Sequence, residues 1–410
     1  MSMADIRTLK DISVPNKKVL VRVDYNVKIK DGKIKDDTRI RESIPTIEHL
    51  MKENAKIILM SHLGRPQEEL QEGKGLDKVK AGSSLAPVAY HLGKLIGKKI
   101  ILAPDCVGLA VNDILSKMKS GDIVMLENTR FHKEEEENDP SFARQLADLG
   151  DAYVLDGFGI SHRANASSAQ ISLEMLKQNK QVAMGHLMEK ELNLWQEARS
   201  KKGYKMLVVG GAKLEEKTRA VSKLSKSVDS VLIGGAVYNI IMAAKGLDVG
   251  DSLVKEKDKD YTLEGKELSK ISNLILADKA VIAKKDFSDI KTIDINDGVP
   301  EGYIIADIVI DEKIKEKVGK AQVIIWFGNI GISDVKVGDR FPFAKGTEDF
   351  KNAINPAAYV IVGGGDSITA SEGIKNKMIS TGGGASIKLY TKGTLEGLEA
   401  LKGNADYFKK

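Results

Sequence analysis

Residues 358–370 read AYVIVGGGDSITA. An unbroken apolar run rich in β-branched and aromatic residues is the pattern of a strand covered on both faces, as in parallel sheets. Glycines, an aspartate and a serine follow, so the segment reads as strand, tight loop and helix start. Three consecutive glycines cost backbone entropy. That cost is offset where the chain turns sharply, or where a ligand must approach the backbone closely.

The same unit recurs along the chain. KVLVRVD (18–24), AKIILMSH (55–62), DIVMLEN (122–128) and AYVLDGFG (152–159) form a first set. KMLVVGGAK (205–213), SVLIGG (230–235), QVIIWFG (322–328) and AYVIVGGGD (358–366) form a second. Apolar strands alternating with helical patterns predict an α/β fold with parallel sheets flanked by helices. At 410 residues the chain is too long for one core, so two domains are expected. Between the sets, GHLMEKELNLWQEARS (185–200) is amphipathic at helical spacing and predicts a long interdomain helix. The lysine-rich stretch 251–270 predicts surface helix and loop. The run EEEE at 134–137, just before NDP, predicts a solvated helix start.

Composition narrows the class. A hydrophobic fraction of 42% with 30% charged residues is that of a globular protein. No apolar run approaches the roughly 18 residues of a membrane span. The opening MSMADIRTLKDISVPNKK has no apolar signal core, which argues against export. The single cysteine, Cys106, rules out an intramolecular disulfide and suits a reducing, cytoplasmic setting. A net charge of +5 over this length is weak support for nucleic acid, and no arginine–aromatic interleaving adds to it. The excess suits small anionic substrates.

In open parallel sheets, ligands sit beyond the carboxyl ends of the strands. In the first half those ends carry Arg22, Asp24 and Asn26 in VRVDYNV, with Arg39 in DDTRIRES. His62 and Arg65 follow in SHLGRP, Arg130 ends LENTR, and His162 and Arg163 lie in SHRANASS. Singly, each reads as a surface charge or a cap. Together, at one end of one sheet, they predict a pocket for a small, multiply anionic ligand, because arginine offers a fork to carboxylate and phosphate. Asp24 and Asn26 would orient a neutral hydroxyl.

The second half ends its strands in glycine: VVGGAKLEEKT, LIGGAVY, IVGGGDS and STGGGAS (380–386). Such loops let backbone N–H groups face an anion at a helix N-terminus. Lys213 follows one loop, with Lys217 on the same helical face. Asp366 closes the triple-glycine loop as the best-placed carboxylate for Mg²⁺ bridging phosphates. Neither a GxxxxGK(S/T) nor a GxGxxG fingerprint is present. The loops point to a polyphosphate.

The motifs RVDYNV, TRIRESIPTI, SHLGRP, SLAPVA, LENTRFHKEEEEND, DGFGISHRANAS, LMEKEL, GGAKLEEKT, GGGDS and STGGGAS stand in one order. In them the chain resembles the phosphoglycerate kinase family over nearly its full length. The resemblance implies two Rossmann-like domains with a cleft between them. Residues 1–182 would bind phosphoglycerate, 183–200 would form the connecting helix, and 201–397 would bind nucleotide. A tail, 398–410, would return to the first domain. On the substrate side it implies Asp24, Asn26, Arg39, His62, Arg65, Arg130 and Arg163. On the nucleotide side it implies Lys213, Lys217, Asp334, Gly363, Gly364, Gly365, Asp366 and Ser367, with Asp366 on Mg²⁺. Arg39, Lys213, Gly365 and Gly383 would carry catalysis. The family further implies Mg-ATP or Mg-ADP without a redox cofactor, and a cytoplasmic, glycolytic or gluconeogenic monomer. No nucleic-acid or membrane partner is expected.

The implied reaction needs no protein base. In the ATP-consuming direction the attacking carboxylate, with a pKa near 4, is already ionised at neutral pH. The protein must position and neutralise, and the two half-sites must close on each other around a hinge at 183–200 and near 380–400.

Departures from the family pattern cluster on the nucleotide side. WFGNIGISD (326–334) stands where the family usually has WNGPxGxFE, and Asp307–Ile310 where it has DIGP. GGAKLEEKT replaces GGAKVSDKI and keeps both lysines. Asp334 falls where the family's glutamate reaches the ribose hydroxyls, and is one methylene shorter. Phe327 and Asn329 are expected to reshape the wall beside the nucleotide, weakening affinity and relaxing the choice among purines. Two alternatives stay open. One is a phosphoglycerate-binding paralogue with impaired nucleotide use; the other is a different α/β enzyme such as a dehydrogenase, which would need the absent GxGxxG.

Overall fold

The computed structural model describes residues 6–30 and 32–408, the side chain of Asp366 excepted. The chain divides into two compact units. One holds the chain up to Asn193 and again from Gly384; the other is Leu194–Gly383.

In the first unit, β1 (Lys18–Arg22), β2 (Lys56–Met60), β3 (Ile100–Leu102), β4 (Ile123–Met125), β5 (Ala152–Leu155) and β6 (Gln181–Met184) form one sheet. Its order is β3-β4-β2-β1-β5-β6 and every pairing is parallel. Val19 and Val21 of β1 with Ile57 and Leu59 of β2 sit at the centre of a core that takes in Ile47 and Leu50 of the helix Thr38–Lys52. Each such side chain contributes roughly 1.5–3 kcal/mol by leaving water. Because all six strands run the same way, every residue just past a strand's last position lies along one edge of the sheet.

The second unit starts with β7 (Lys205–Val209), β8 (Ser230–Ile233) and β9 (Leu274–Ile275). An excursion follows: β10 (Lys279–Lys284), β11 (Lys291–Asp294) and β12 (Tyr303–Ile308), a separate antiparallel sheet in the order β11-β10-β12. The chain then adds β13 (Val323–Phe327), β14 (Tyr359–Gly363) and β15 (Lys377–Ser380). The parallel sheet reads β9-β8-β7-β13-β14-β15.

Two parallel sheets flanked by helices are what the alternating pattern predicts. The helix His186–Ser200 forms where the amphipathic stretch lies, and the boundary between the units falls inside it. The return to the first unit begins at Gly384 rather than 398. The reason is local: the helix Gly384–Lys392 and the segment after it pack on residues 158–162. Gly397 N–H donates to the Ser161 carbonyl, and a Cβ on Gly397 would meet Leu155 at 2.6 Å. The stretch 251–270 carries the expected helix, Thr262–Ser269, but a short hairpin, Lys255–Glu256 with Lys259–Asp260, stands where only loop was expected. Among the described residues, no helix is long and apolar enough to cross a membrane.

Candidate active site

The basic residues of the first unit gather along the carboxyl edge of its sheet. Arg39 sits in the first turn of the helix Thr38–Lys52 and reaches back to Asp24, just past β1, with Nη1 2.8 Å from Oδ2. Asn26 accepts a hydrogen bond from Gly64 N–H at 3.0 Å, so the loop after β1 holds the loop after β2. Arg130, in the turn Thr129–Phe131 beyond β4, donates to the Gly64 carbonyl at 2.8 Å and pairs with Glu136 at 2.9 Å. His62 lies buried among them. Burial first, then the positive charges of Arg22, Arg130, Arg39 and Arg163, hold its pKa far below the ordinary imidazole range. His62 is therefore a neutral ring in a strongly positive field, not one more cation. His162 is lowered too, by burial and then by Arg163.

Arg22, one of the strand-end residues, belongs to the foundation instead of the pocket. It is 2% exposed and donates to the Ser167 hydroxyl at 2.6 Å; its Nη2 lies 3.2 Å from His62 Nδ1 and 3.5 Å from Glu135. Glu135 is 1% exposed and accepts from both the N–H and the hydroxyl of Ser167, at 2.9 and 2.6 Å. The four-glutamate run is thus not a solvated helix start. Its second member is a buried counter-charge and its third pairs with Arg130, because the chain there turns inward as the short 3₁₀ segment Lys133–Glu135. Arg65, by contrast, points outward: it is 65% exposed and paired with Glu68 at 3.1 Å.

In the second unit the glycine loops line the corresponding edge of the parallel sheet. Beside them opens a cavity of about 990 Å³. Gly211, Ala212, Gly235 and Ala236 border it on one side, Asn329–Asp334 on another, and Ile304–Ile308 of β12 on a third. Asn239, Lys285, Phe341 and Thr347 complete much of the wall. The volume and the mix of apolar surface with a few polar groups suit a nucleotide-sized ligand. Asp307 in this wall accepts from Gly346 N–H at 2.7 Å and Ile308 N–H at 2.9 Å. Burial nevertheless pushes its pKa up to about 7, against the pull of those two donors.

The triple glycine has three different reasons. A Cβ on Gly363 would lie 2.5 Å from the Phe327 ring; Gly364 has φ of +94°, where side chains are strained; Gly365 faces open space. Gly383, with φ of +50°, is open as well. Lys213 is the exposed residue immediately before the helix Leu214–Leu224, and Lys217 stands one turn in, 6.0 Å above the Phe327 ring. Asp366 belongs by its backbone to the short helix Gly365–Ala370, and its side chain lies outside the described residues.

Two nucleotide-side expectations change. Ser367 is fully buried and its hydroxyl accepts from Gly328 N–H at 2.6 Å, tying the loop after β13 to the loop after β14. Its side chain holds the loops together and is committed there. Phe327 does not line the cavity; it packs beneath Gly363, whereas Asn329 and Asp334 do stand in the wall. Sequence reasoning missed Asn239, Lys285 and Thr347 as wall residues, and reached Asp307 only through the departure from DIGP. Asn239 and Thr347 lie within helices and Lys285 just after β10, none of them at a glycine-ended strand of the parallel sheet, so no strand-end signal marked them.

The family model described as phosphoglycerate kinase matches residues 9–393. A phosphoglycerate kinase of Dictyoglomus turgidum is 40% identical over 415 residues, covering 98% of this chain and all of that protein. One of Thermosipho africanus is 38% identical over 410 residues, covering 96% and 97%. The crystal structure of phosphoglycerate kinase from Pyrococcus horikoshii superposes with a TM-score of 0.77 at 30% identity, covering 98% of this chain and all of the other.

Proposed function

Since the chain belongs to the phosphoglycerate kinase family, and is thereby a phosphotransferase, we propose how its own residues divide the work. The first unit binds 3-phosphoglycerate or 1,3-bisphosphoglycerate; the second binds ADP or ATP. The observation that carries this reading is the gathering of Arg39, on Asp24, and Arg130, on the Gly64 carbonyl, at loops that Asn26 and Gly64 join, beside the buried His62. Such a gathering favours a ligand bearing both carboxylate and phosphate. Asp24 and Asn26, beside Arg39, orient its hydroxyl.

In the ATP-consuming direction a carboxylate oxygen of phosphoglycerate attacks the γ-phosphorus, and the bond to the β,γ-bridging oxygen breaks. ADP leaves and an acyl phosphate forms. No proton is transferred, since the carboxylate is already ionised. Arg39 meets the reacting carboxylate and phosphoryl group, and Lys213 neutralises the equatorial oxygens. The backbone N–H groups of Gly365 and Gly383, with open space at both residues, supply uncharged donors. Lys217 and the loop from Gly363 carry the rest of the phosphate chain. The family's Mg²⁺ takes hard oxygen ligands, and the carboxylate that the sequence offers for it is that of Asp366. Asp366 would hold it, and the ion would supply charge neutralisation on the phosphates. A reducing, cytoplasmic setting agrees with the single buried cysteine.

Arg39→Ala and Lys213→Ala test the assignment. Each should lower kcat by about a hundredfold or more, on the order of 3 kcal/mol of transition-state stabilisation, with the nucleotide KM changed far less. Retention of more than about a tenth of kcat in either variant, a loss under roughly 1.4 kcal/mol, returns that residue to a surface role.

A further inference from the structure

Outside this machinery, Asp105, Cys106 and His132 bring a carboxylate oxygen, a thiol sulfur and an imidazole nitrogen within 4.8 Å of one another. We propose that these three side chains form a binding site for a thiophilic divalent cation of the Zn²⁺ class.

The parts are held before any ion arrives. Asp105 Oδ1 accepts from Cys106 N–H at 2.6 Å and lies 2.6 Å from His132 Nε2. The His132 ring is stacked on the buried Phe142 ring with centroids 4.7 Å apart, which fixes the direction of its nitrogens. The Cys106 thiol is buried and donates to the Glu127 carbonyl at 3.0 Å. Asp105 is half exposed and His132 a quarter exposed, so the approach is from their side. One sulfur, one nitrogen and one oxygen is a donor set for a tetrahedral, borderline-soft ion with its fourth position open to water. It is a poor set for Mg²⁺, which takes oxygen ligands in an octahedron.

Binding is an exchange. The S–H bond breaks as the sulfur–metal bond forms, and the proton goes to solvent. The thiol gives up its bond to the Glu127 carbonyl, while the hydrogen bond between Asp105 and His132 is replaced by a metal bond from each. His132 stands directly after the turn Thr129–Phe131 that carries Arg130, so an occupied site ties that turn to residues 105–106.

The chain's single cysteine makes the test clean, because any thiolate-to-cobalt charge-transfer band must come from Cys106. Co²⁺ titrated into the full-length protein should give that band with one-to-one stoichiometry and the intense visible absorption of tetrahedral cobalt. Zn²⁺ should abolish both, and a large excess of Mg²⁺ should not. Cys106→Ser, whose hydroxyl keeps the bond to the Glu127 carbonyl, should lose the charge-transfer band. His132→Gln, at a partly exposed position, should weaken Co²⁺ binding at least tenfold with the fold intact by circular dichroism. No charge-transfer band in the wild type at saturating Co²⁺ overturns the site. So does unchanged Co²⁺ affinity in His132→Gln, which would leave the cysteine binding alone.

Discussion

At the scale of single residues, two buried carboxyls behave in opposite ways. Glu135 is a buried anion with a buried cation to face: Arg22 is 113 positions away in sequence and nearly as inaccessible. Removing one member of such a pair strands the other without solvent, at a cost of about 3 kcal/mol or more. Glu135→Gln should therefore lower the urea-unfolding free energy by roughly that amount. An effect within about 0.5 kcal/mol would show that the surrounding hydroxyls suffice for Arg22. Asp307 has no cation as its main influence; burial dominates and raises its pKa from 3.8 to about 7. The folded chain thus holds a proton there that the unfolded chain has released. Its contribution to stability is full below the ordinary carboxyl value and is lost as pH rises through about 7, up to roughly 4 kcal/mol for a shift of this size. Asp156, raised to about 8 chiefly by burial, acts in the same sense. In Asp307→Asn the fall in unfolding free energy between pH 5 and pH 8 should be shallower than in the wild type, with the Asp156 share remaining. Superimposable pH profiles would remove Asp307 from that account.

At the scale of elements, the strand ends matter more than the strands. β13 and β14 are neighbours whose last residues meet as Phe327 and Gly363, and the ring takes the space a side chain on Gly363 would need. Gly363→Ala should therefore cost about 1–3 kcal/mol by overpacking. The same change made on a Phe327→Asn background should cost at least about 1 kcal/mol less, since neighbours that share one space are coupled. Equal costs in the two backgrounds, measured by urea unfolding, would mean that the ring moves aside freely. This pairing also explains what was legible in the sequence. Long apolar runs such as Val323–Phe327 and Tyr359–Gly363 announce buried central strands, and their glycine ends announce an edge where ligands approach. Edge strands such as Ile100–Leu102, three residues long with Ile101 43% exposed, are apolar runs too short to tell from a buried helix segment, and no glycine ends them. The antiparallel sheet of residues 279–308 was illegible because its apolar runs, AVIA (280–283) and YIIA (303–306), are short and broken by Lys284 and Asp307. Only Asp307 and Ile308 of that cavity wall were reached, through the resemblance. Glu135 was hidden differently: a run of four glutamates looks solvated until the fold brings a distant arginine against one of them.

At the scale of the whole molecule, the two units share one design and differ in what their sheet edges carry. One edge concentrates guanidinium groups around a neutral histidine; the other offers glycine loops and a cavity of about 990 Å³. The first suits a small ligand with charge at both ends, and the second suits a polyphosphate with a bulky apolar end. The departures in WFGNIGISD touch the second edge and leave the first unaltered. They do not remove Lys213, Lys217 or the open glycines. A chain built this way retains what phosphoryl transfer requires of it, namely charge neutralisation and position. The direct test is the initial rate of 3-phosphoglycerate phosphorylation by Mg-ATP, read through a coupled assay of the acyl phosphate formed. The account predicts saturable turnover in both substrates, falling by about a hundredfold in Arg39→Ala. Binding of 3-phosphoglycerate and of ATP by the wild-type protein, each confirmed by calorimetry, with no turnover when both are present would contradict it.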